Sequence, residues 1–384
     1  MKRTHLLLAV LAYFILLQAA QGGWMTVKRL SFTSAHSLFP SLAVDLSGNL
    51  HLVWHEGANP NYYITYYMRS TDGGVTWTTA KRITSNVGFS QNPAIAVDAS
   101  GNPHLVWDDF ISGNREICHM KSTDKGATWT PNKRLTTNSG SSVYPAIAID
   151  ASDYLHVVWE EYSPGNFEVY YTKSMSKGTT WTTNKRLTWT PGGSYMPSIA
   201  ADPDGNLHVA WEENTPSGFE VFYKRSSNIG ATWTANKRLT WNTGSSAYPV
   251  IAAGPSGYLH VAWEDNTPGN KEVYYRRSTD GGITWKPIKS LTSSSVDSTA
   301  PAIAVDSLGN PNIVWGESTS GNTEIYCRKS TDQGATWVPL ERLTWTSGNS
   351  GEPAIAVDTV GNIHVVWSDN TPGNLEIYYR KFIK

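Results

Sequence analysis

PAIAVDASGNPHLVWDDFISGNREICHMKSTDKGATWTPNKRLT, residues 93–136, contains four short strand-like runs, and its pattern recurs along the chain. PAIAVD is nearly all apolar, as suits an innermost strand covered on both faces. The turn Ser100-Gly101-Asn102 leads into the second run, HLVW. A loop follows, rich in Pro, Gly and Asn in most copies, and then a third run such as Glu272-Val273-Tyr274-Tyr275-Arg276-Arg277-Ser278. The fourth run starts at the tryptophan of a tight turn and passes through KRLT. Nothing in the unit has helical period or length.

The prolines opening the first run are Pro40, Pro93, Pro145, Pro197, Pro249, Pro301 and Pro353, one step of 53 residues and five of 52. The second-run tryptophans keep the same step, from Trp54 and Trp107 through Trp159, Trp211, Trp263 and Trp315 to Trp367. Four short antiparallel strands at this period describe a β-propeller blade, so seven copies predict an all-β, seven-bladed propeller. The seventh copy stops after its third run at Tyr378-Tyr379-Arg380-Lys381, and the missing run stands at the other end, Trp24-Met25-Thr26-Val27-Lys28-Arg29-Leu30. The N-terminal strand is therefore expected to complete the last blade and close the ring, which removes free strand edges.

Composition agrees with a repeat array. The 384 residues exceed the size at which one hydrophobic core stops growing. The formal charge of -1 gives no field for nucleic acid or an anionic membrane. Lys2 and Arg3, the apolar run Leu6 to Leu17 and the small-residue stretch Ala20-Gln21-Gly22 read as a signal peptide over residues 1–22. That run is short against the roughly 20 residues of a membrane span. The expected mature domain is residues 23–384, exported and monomeric, with no membrane span. Cys118 and Cys327 sit in different repeats and replace tyrosine-like strand residues, so they are expected to be buried free thiols.

Between the third and fourth runs lies S-x-D-x-G-x-T-W, starting at Ser70, Ser122, Ser278 and Ser330, with looser copies at Ser174 and Ser226. This is the Asp box, and the chain resembles the sialidase-like Asp-box (BNR repeat) propellers over its whole mature length. Its polar residues, Asp72, Asp124, Ser176, Asn228, Asp280 and Asp332, are read as structural. A short polar side chain accepts bonds from its own turn, and the glycine allows positive φ.

In a meander, successive connections alternate between two faces. The glycine-asparagine turns and Asp boxes share one face; the resemblance implies that ligands sit on the other. That face carries the acidic pairs Asp108-Asp109, Glu160-Glu161, Glu212-Glu213 and Glu264-Asp265, weakening to His55-Glu56, Gly316-Glu317 and Ser368-Asp369. It also carries Trp189, Trp241 and Trp345, with Phe32 in the matching N-terminal place. Carboxylates and exposed aromatics are what sugar binding uses. The same acids could instead cap loop amides, and the tryptophans could pack on adjacent blades. His51, His104, His156, His208, His260 and His364 recur at the second run, with Asn312 in the sixth copy. One histidine per blade fits a hydrogen bond within that blade better than a metal site, so neither metal nor cofactor is expected.

The resemblance also implies an arginine two residues before a first-run proline, part of a triad that clamps the substrate carboxylate. Leu38, Gln91, Val143, Tyr195, Ala247, Thr299 and Gly351 stand there. Near-identical blades favour several similar weak sites over one catalytic centre. The expected function is binding of a carbohydrate or cell-surface glycoconjugate. The alternative is a divergent exo-glycosidase on blades 1 and 2, where His55, Glu56, Asp108, Asp109 and Arg115 are the catalytic candidates.

Overall fold

In the computed structural model, residues 22–59, 62–84, 89–111, 113–163, 165–319 and 321–384 are described. The signal-peptide reading, residues 1–22, lies outside them except for Gly22. Seven antiparallel sheets follow one another along the chain, each pairing its strands in sequence order. Blade 3 shows the pattern: Ser142–Ile149 innermost, then Leu155–Ser163, Asn166–Ser174 and the short outer Lys185–Arg186. Blades 1 to 7 are numbered by their first-run prolines.

The seventh sheet has five strands because the N-terminal segment contributes two short ones, Gly23–Trp24 and Lys28–Arg29, both paired with Glu376–Ile383. Trp24 lies opposite Phe382, and Arg29 opposite Tyr378. The ring closes as the repeat count requires.

All seven second-strand tryptophans are fully buried. Removing about 200 Å² of indole from water stabilises by about 5 kcal/mol at ~25 cal/mol per Å², before ordering costs. These rings sit in core clusters that each join two adjacent blades; Trp54 of blade 1 packs with Ile377 and Tyr379 of blade 7. Cys118 and Cys327 are free and buried, Cys118 opposite Trp107 in the strand register.

The Asp-box face carries a second lock between blades. In blade 2, Asp124 accepts from Thr128 N and the Ser122 hydroxyl, each at 2.7 Å. Ser176 and Asn228 accept the equivalent backbone bonds at 2.8 Å, so the looser boxes form the same turn. The box glycine makes room for a tyrosine from the preceding blade. A Cβ on Gly230 would stand 2.1 Å from the Tyr171 hydroxyl oxygen. That ring packs edge-on against Trp233, 5.2 Å between centroids. Its hydroxyl meets His156 Nδ1 at 2.9 Å, and His156 Nε2 meets Asp150 at 3.2 Å. Each histidine thus bonds within its own blade. Tyr379 against Trp77, 5.2 Å apart, carries the lock from the last blade to the first.

Candidate functional site

The first-run proline does not begin the innermost strand; the strand starts a few residues earlier and bulges at the proline. Val143 pairs with Glu160 and Ala146 with Val158, so Tyr144 and Pro145 together oppose Trp159. The same shift occurs in all seven inner strands. Proline has no N–H to give the ladder, which suits it to a bulge. The residue before it is left-handed in every blade: Phe39, Asn92, Tyr144, Met196, Tyr248, Ala300 and Glu352 have φ between 47° and 52°. None is glycine, so the ring holds seven strained positions. These residues and their prolines line a central cavity of about 430 Å³.

The acidic pairs supply part of that hold, and strand geometry divides them. Neighbours in a strand point to opposite faces of the sheet. The second members turn away from the next blade. Glu161, Glu213 and Asp265 accept from the buried Trp159, Trp211 and Trp263 Nε1 at 3.1, 3.3 and 3.3 Å. Asp109 and Glu56 take serine hydroxyls of their own inner strands at 3.3 and 3.4 Å. The first members face the next blade, and His55, Asp108, Glu212 and Glu264 bind its left-handed residue. Tyr144 N donates to Asp108 at 3.2 Å, Tyr248 N to Glu212 at 2.6 Å and Ala300 N to Glu264 at 3.1 Å. Asn92 N donates to His55 Nδ1 at 3.3 Å.

Four first-member carboxylates, Asp108, Glu160, Glu212 and Glu264, therefore form a buried half-ring around the mouth. Their counter-charges differ. Arg115 pairs with Asp108 at 2.9 Å, and Lys271, at the equivalent place three blades on, pairs with Glu264 at 2.6 Å. Blades 3 and 4 have Phe167 and Phe219 at that position. The consequence falls on the acidity of the two carboxyls beside the phenylalanines. Burial, then the charges of Glu212 and Asp108, push Glu160 up to about 8. Burial raises Glu212 to about 7 despite the Tyr248 amide. Phe219 and Glu212 share a cleft of about 340 Å³ with Tyr248 and Lys271. Tyr195 lies between Phe167 and Phe219, its centroid 5.7 and 5.9 Å from theirs. Blades 6 and 7 carry Gly316, Ser368 and Gly351 at these places.

The tryptophans do not join the acids. Trp189, Trp241 and Trp345 follow the outermost strands and are 67, 62 and 65 % exposed. Each stacks on the outer-strand arginine of its own blade, Arg186, Arg238 or Arg342, at 5.6 to 5.9 Å. Those arginines pair in turn with buried Glu168, Glu220 and Glu324 at 2.8, 2.6 and 2.9 Å. Sequence reading missed this glutamate series; its signal was one Glu at the head of the third run in six of seven copies.

On blades 1 and 2 the structure joins His55, Asp108 and Arg115 through Asn92, whose amide side chain donates to Asp108 at 2.8 Å. Glu56 and Asp109 stay apart from them on opposite sheet faces. Burial holds His55 near 3, so it is neutral at physiological pH.

A family model described as BNR repeat-containing family member matches residues 132–383. A xyloglucanase from a Paenibacillus species is 26 % identical over 247 residues, which is 58 % of this chain and 23 % of that protein. This chain thus spans about a quarter of that relative's length. Among solved structures, a PL25 ulvan lyase bound to -[GlcA(1-4)Rha3S]- superposes with a TM-score of 0.64 at 10 % identity, covering 92 % of this chain and 95 % of that one. The Hadza microbial sialidase Hz136 superposes with a TM-score of 0.53 at 16 % identity, covering 83 % and 73 %. At such identities the two structures establish a shared fold.

Proposed function

The chain belongs to the BNR repeat-containing family of sialidase-like Asp-box propellers, and from that premise we propose that it is an exported protein binding an uncharged polysaccharide segment at the mouth of blades 2 to 5. The uneven half-ring carries this reading. Phe167 and Phe219 stand beside Glu160 and Glu212 where blades 2 and 5 have paired cations, with Lys271 only across the cleft from Glu212, and Tyr144 and Tyr248 line the cavity 36 % and 47 % exposed. A protonated carboxyl group both donates and accepts, as a sugar hydroxyl needs. Tyrosine faces cover the apolar side of a pyranose. No arginine lines the cavity among the described residues, and Arg115 is engaged by Asp108. A sugar carboxylate would therefore lack a bidentate clamp. Ala300 and Gly351 leave the polymer room to continue toward blades 6 and 7. The identity to a xyloglucanase supports trying xyloglucan first, and Lys2, Arg3 and the Leu6 to Leu17 run support export.

The test is calorimetric titration with xyloglucan oligosaccharides and, separately, a sialylated trisaccharide. Neutral oligosaccharides are expected to bind, with at least tenfold loss in Tyr248→Ala and Glu212→Ala and near-unchanged affinity in Glu212→Gln, which keeps a donor and an acceptor. Binding confined to the sialylated ligand would overturn the reading.

A second reading, hydrolysis, is favoured by one observation: two interacting carboxylates on adjacent blades, Glu160 pushed up to about 8 and Glu212 to about 7. Groups so tuned serve as acid and base at neutral pH. Product release lost in Glu160→Gln would establish it there. Loss in Asp108→Asn or Glu56→Gln, with Glu160→Gln active, would move the chemistry to blades 1 and 2.

A further inference from the structure

Six of the seven outer strands carry an arginine, Arg29, Arg82, Arg134, Arg186, Arg238 and Arg342; the fifth has Ser290. In blades 3, 4 and 6 the arginine ion-pairs with the buried third-strand glutamate. Blade 5 keeps that glutamate, Glu272, without the arginine. Glu272 is 2 % exposed. Its Oε1 accepts from Ser294 N at 2.7 Å and Asn270 Nδ2 at 3.0 Å, while its Oε2 is buried with no hydrogen-bond partner. Ser290 cannot reach it, since its hydroxyl bonds Thr292 O.

The neighbouring aromatic is gone as well. Trp241 and Trp345 each lie between the outer-strand arginine and one from the following blade: Arg276 is 5.7 Å from Trp241, and Arg380 is 5.7 Å from Trp345. In blade 5 the tryptophan is Ser293, and the following-blade arginine is Arg328. A notch of about 380 Å³ opens there, lined by Ser290, Ser293, Glu317, Arg328 and Leu340 among others. Arg328 Nη1 donates to Leu291 O at 2.7 Å, but its Nε is buried without a partner. Around Trp241, the acids Glu220 and Asp265 are matched by Arg238 and Arg276. The notch is lined by Glu317 and Arg328, with the buried Glu272 on the adjacent strand and Ser290 where the other blades have an arginine.

We propose that the notch between blades 5 and 6 is a binding site for a planar guanidinium cation, free or at the end of an arginine side chain. A buried carboxylate with an unmet acceptor is costly to leave unpaired. Elsewhere in this ring an arginine Nη2 meets the Oε1 of this glutamate and a threonine hydroxyl its Oε2; here Ser290 leaves the place of the guanidinium empty and the Oε2 is unpaired as well. Guanidinium fits better than ammonium because its fork bonds a carboxylate while its plane lies on a neighbouring flat group. The fold already packs two arginines about one side-chain site at Trp241 and Trp345, so Arg328 is compatible with a second cation.

The test titrates the full-length protein with N-acetyl-arginine methylamide, its citrulline isostere and agmatine, followed by calorimetry. Saturable binding of the arginine probe is expected, at least tenfold tighter than citrulline. Glu272→Gln should abolish the preference, and Ser290→Arg should abolish binding while raising Tm, because the chain then supplies its own guanidinium. Agmatine equal to the arginine probe identifies a free-cation site; agmatine much weaker identifies an arginine side chain of a partner. Equal binding of arginine and citrulline, no saturable binding of either cation, or unchanged affinity in Ser290→Arg would overturn the proposal. Neither readout depends on glycan binding at the mouth.

Discussion

The Asp-box face and the outer strands come from the same seven copies but treat a departure from the repeat differently. On the Asp-box face a replacement either keeps the contact, as His119 does with His104 and Trp181 in place of the tyrosine, or goes together with its partners. Cys327 stands where Tyr171 and Tyr275 stand in other blades, and Asn312 where their histidines stand. The next blade, the seventh, has no Asp box, because the N-terminal segment supplies its outer strands. With no box glycine or tryptophan to receive it, neither the tyrosine nor the histidine orienting it is needed. Along the outer strands single members change alone. Ile64 replaces the glutamate of blade 1 while Arg82 stays, and Ser290 replaces the arginine of blade 5 while Glu272 stays. Replacement that keeps the contact, or loss shared by all partners, marks residues that hold blades together; a lone loss that leaves its partner unmet marks a place where the ring tolerates the vacancy.

Two glycine substitutions give the largest expected contrast. Gly230 has φ +74°, and an added Cβ would stand 2.1 Å from the Tyr171 oxygen. Gly230→Ala should cost about 3 kcal/mol or more, from overpacking and left-handed strain together. Gly351 on the ligand face has open space within 4 Å of an added Cβ. Gly351→Ala should change stability by less than about 0.5 kcal/mol. Denaturant unfolding of both variants measures the difference; similar costs would break the distinction between the two regions.

The fold was legible because a 52-residue period with four strand runs leaves few architectures, and the displaced N-terminal run identified the closure. The site was less so. Phe39 or Tyr144 at positive φ is rare for such residues, so nothing local announced the bulge; the signal was a variable residue before an invariable proline in all seven copies. Each acidic pair looked like a unit in sequence, yet Glu160 and Glu161 point apart because they are strand neighbours. The partners that decide their chemistry, Phe167 and Phe219 against Arg115 and Lys271, lie on the next strand, at one position of the repeat. The rim tryptophans and the acids share one face and look equivalent in sequence, whereas the outer and inner strands that carry them are separated by the width of a blade.

The middle-sized effect concerns the half-ring. Glu160 titrates near 4.5 when unfolded and near 8 when folded. A raised carboxyl stabilises fully below the lower value, and that contribution disappears as pH rises through the upper one. Glu160→Gln keeps the shape and removes the titration. Relative to wild type it should gain on the order of 1–3 kcal/mol between pH 4.5 and 9. Burial also raises the Glu161 carboxyl, but hydrogen bonds from Trp159 and Ser142 hold it back, so Glu161→Gln should gain less. Parallel melting curves at pH 4.5, 7 and 9 decide it, and a Glu160→Gln offset independent of pH would mean that the carboxylate is solvated.

The smallest effect is expected at the rim. Trp241 is 62 % exposed and touches Arg238 and Arg276 at 5.9 and 5.7 Å. Exposed cation–π contacts contribute about 0.5–1 kcal/mol, and Arg238 keeps Glu220 at 2.6 Å without the indole. Trp241→Ala should therefore lower stability by less than about 1 kcal/mol. Affinity for short oligosaccharides at the mouth should stay within about twofold, because the indole stands on the outer strand and the half-ring on the inner ones. Weaker retention of the long polymer by the same variant would make the rim a second contact along the chain. A stability loss like that of Gly230→Ala would instead put Trp241 among the residues that hold the blades together, since blade 5 folds with Ser293 in its place.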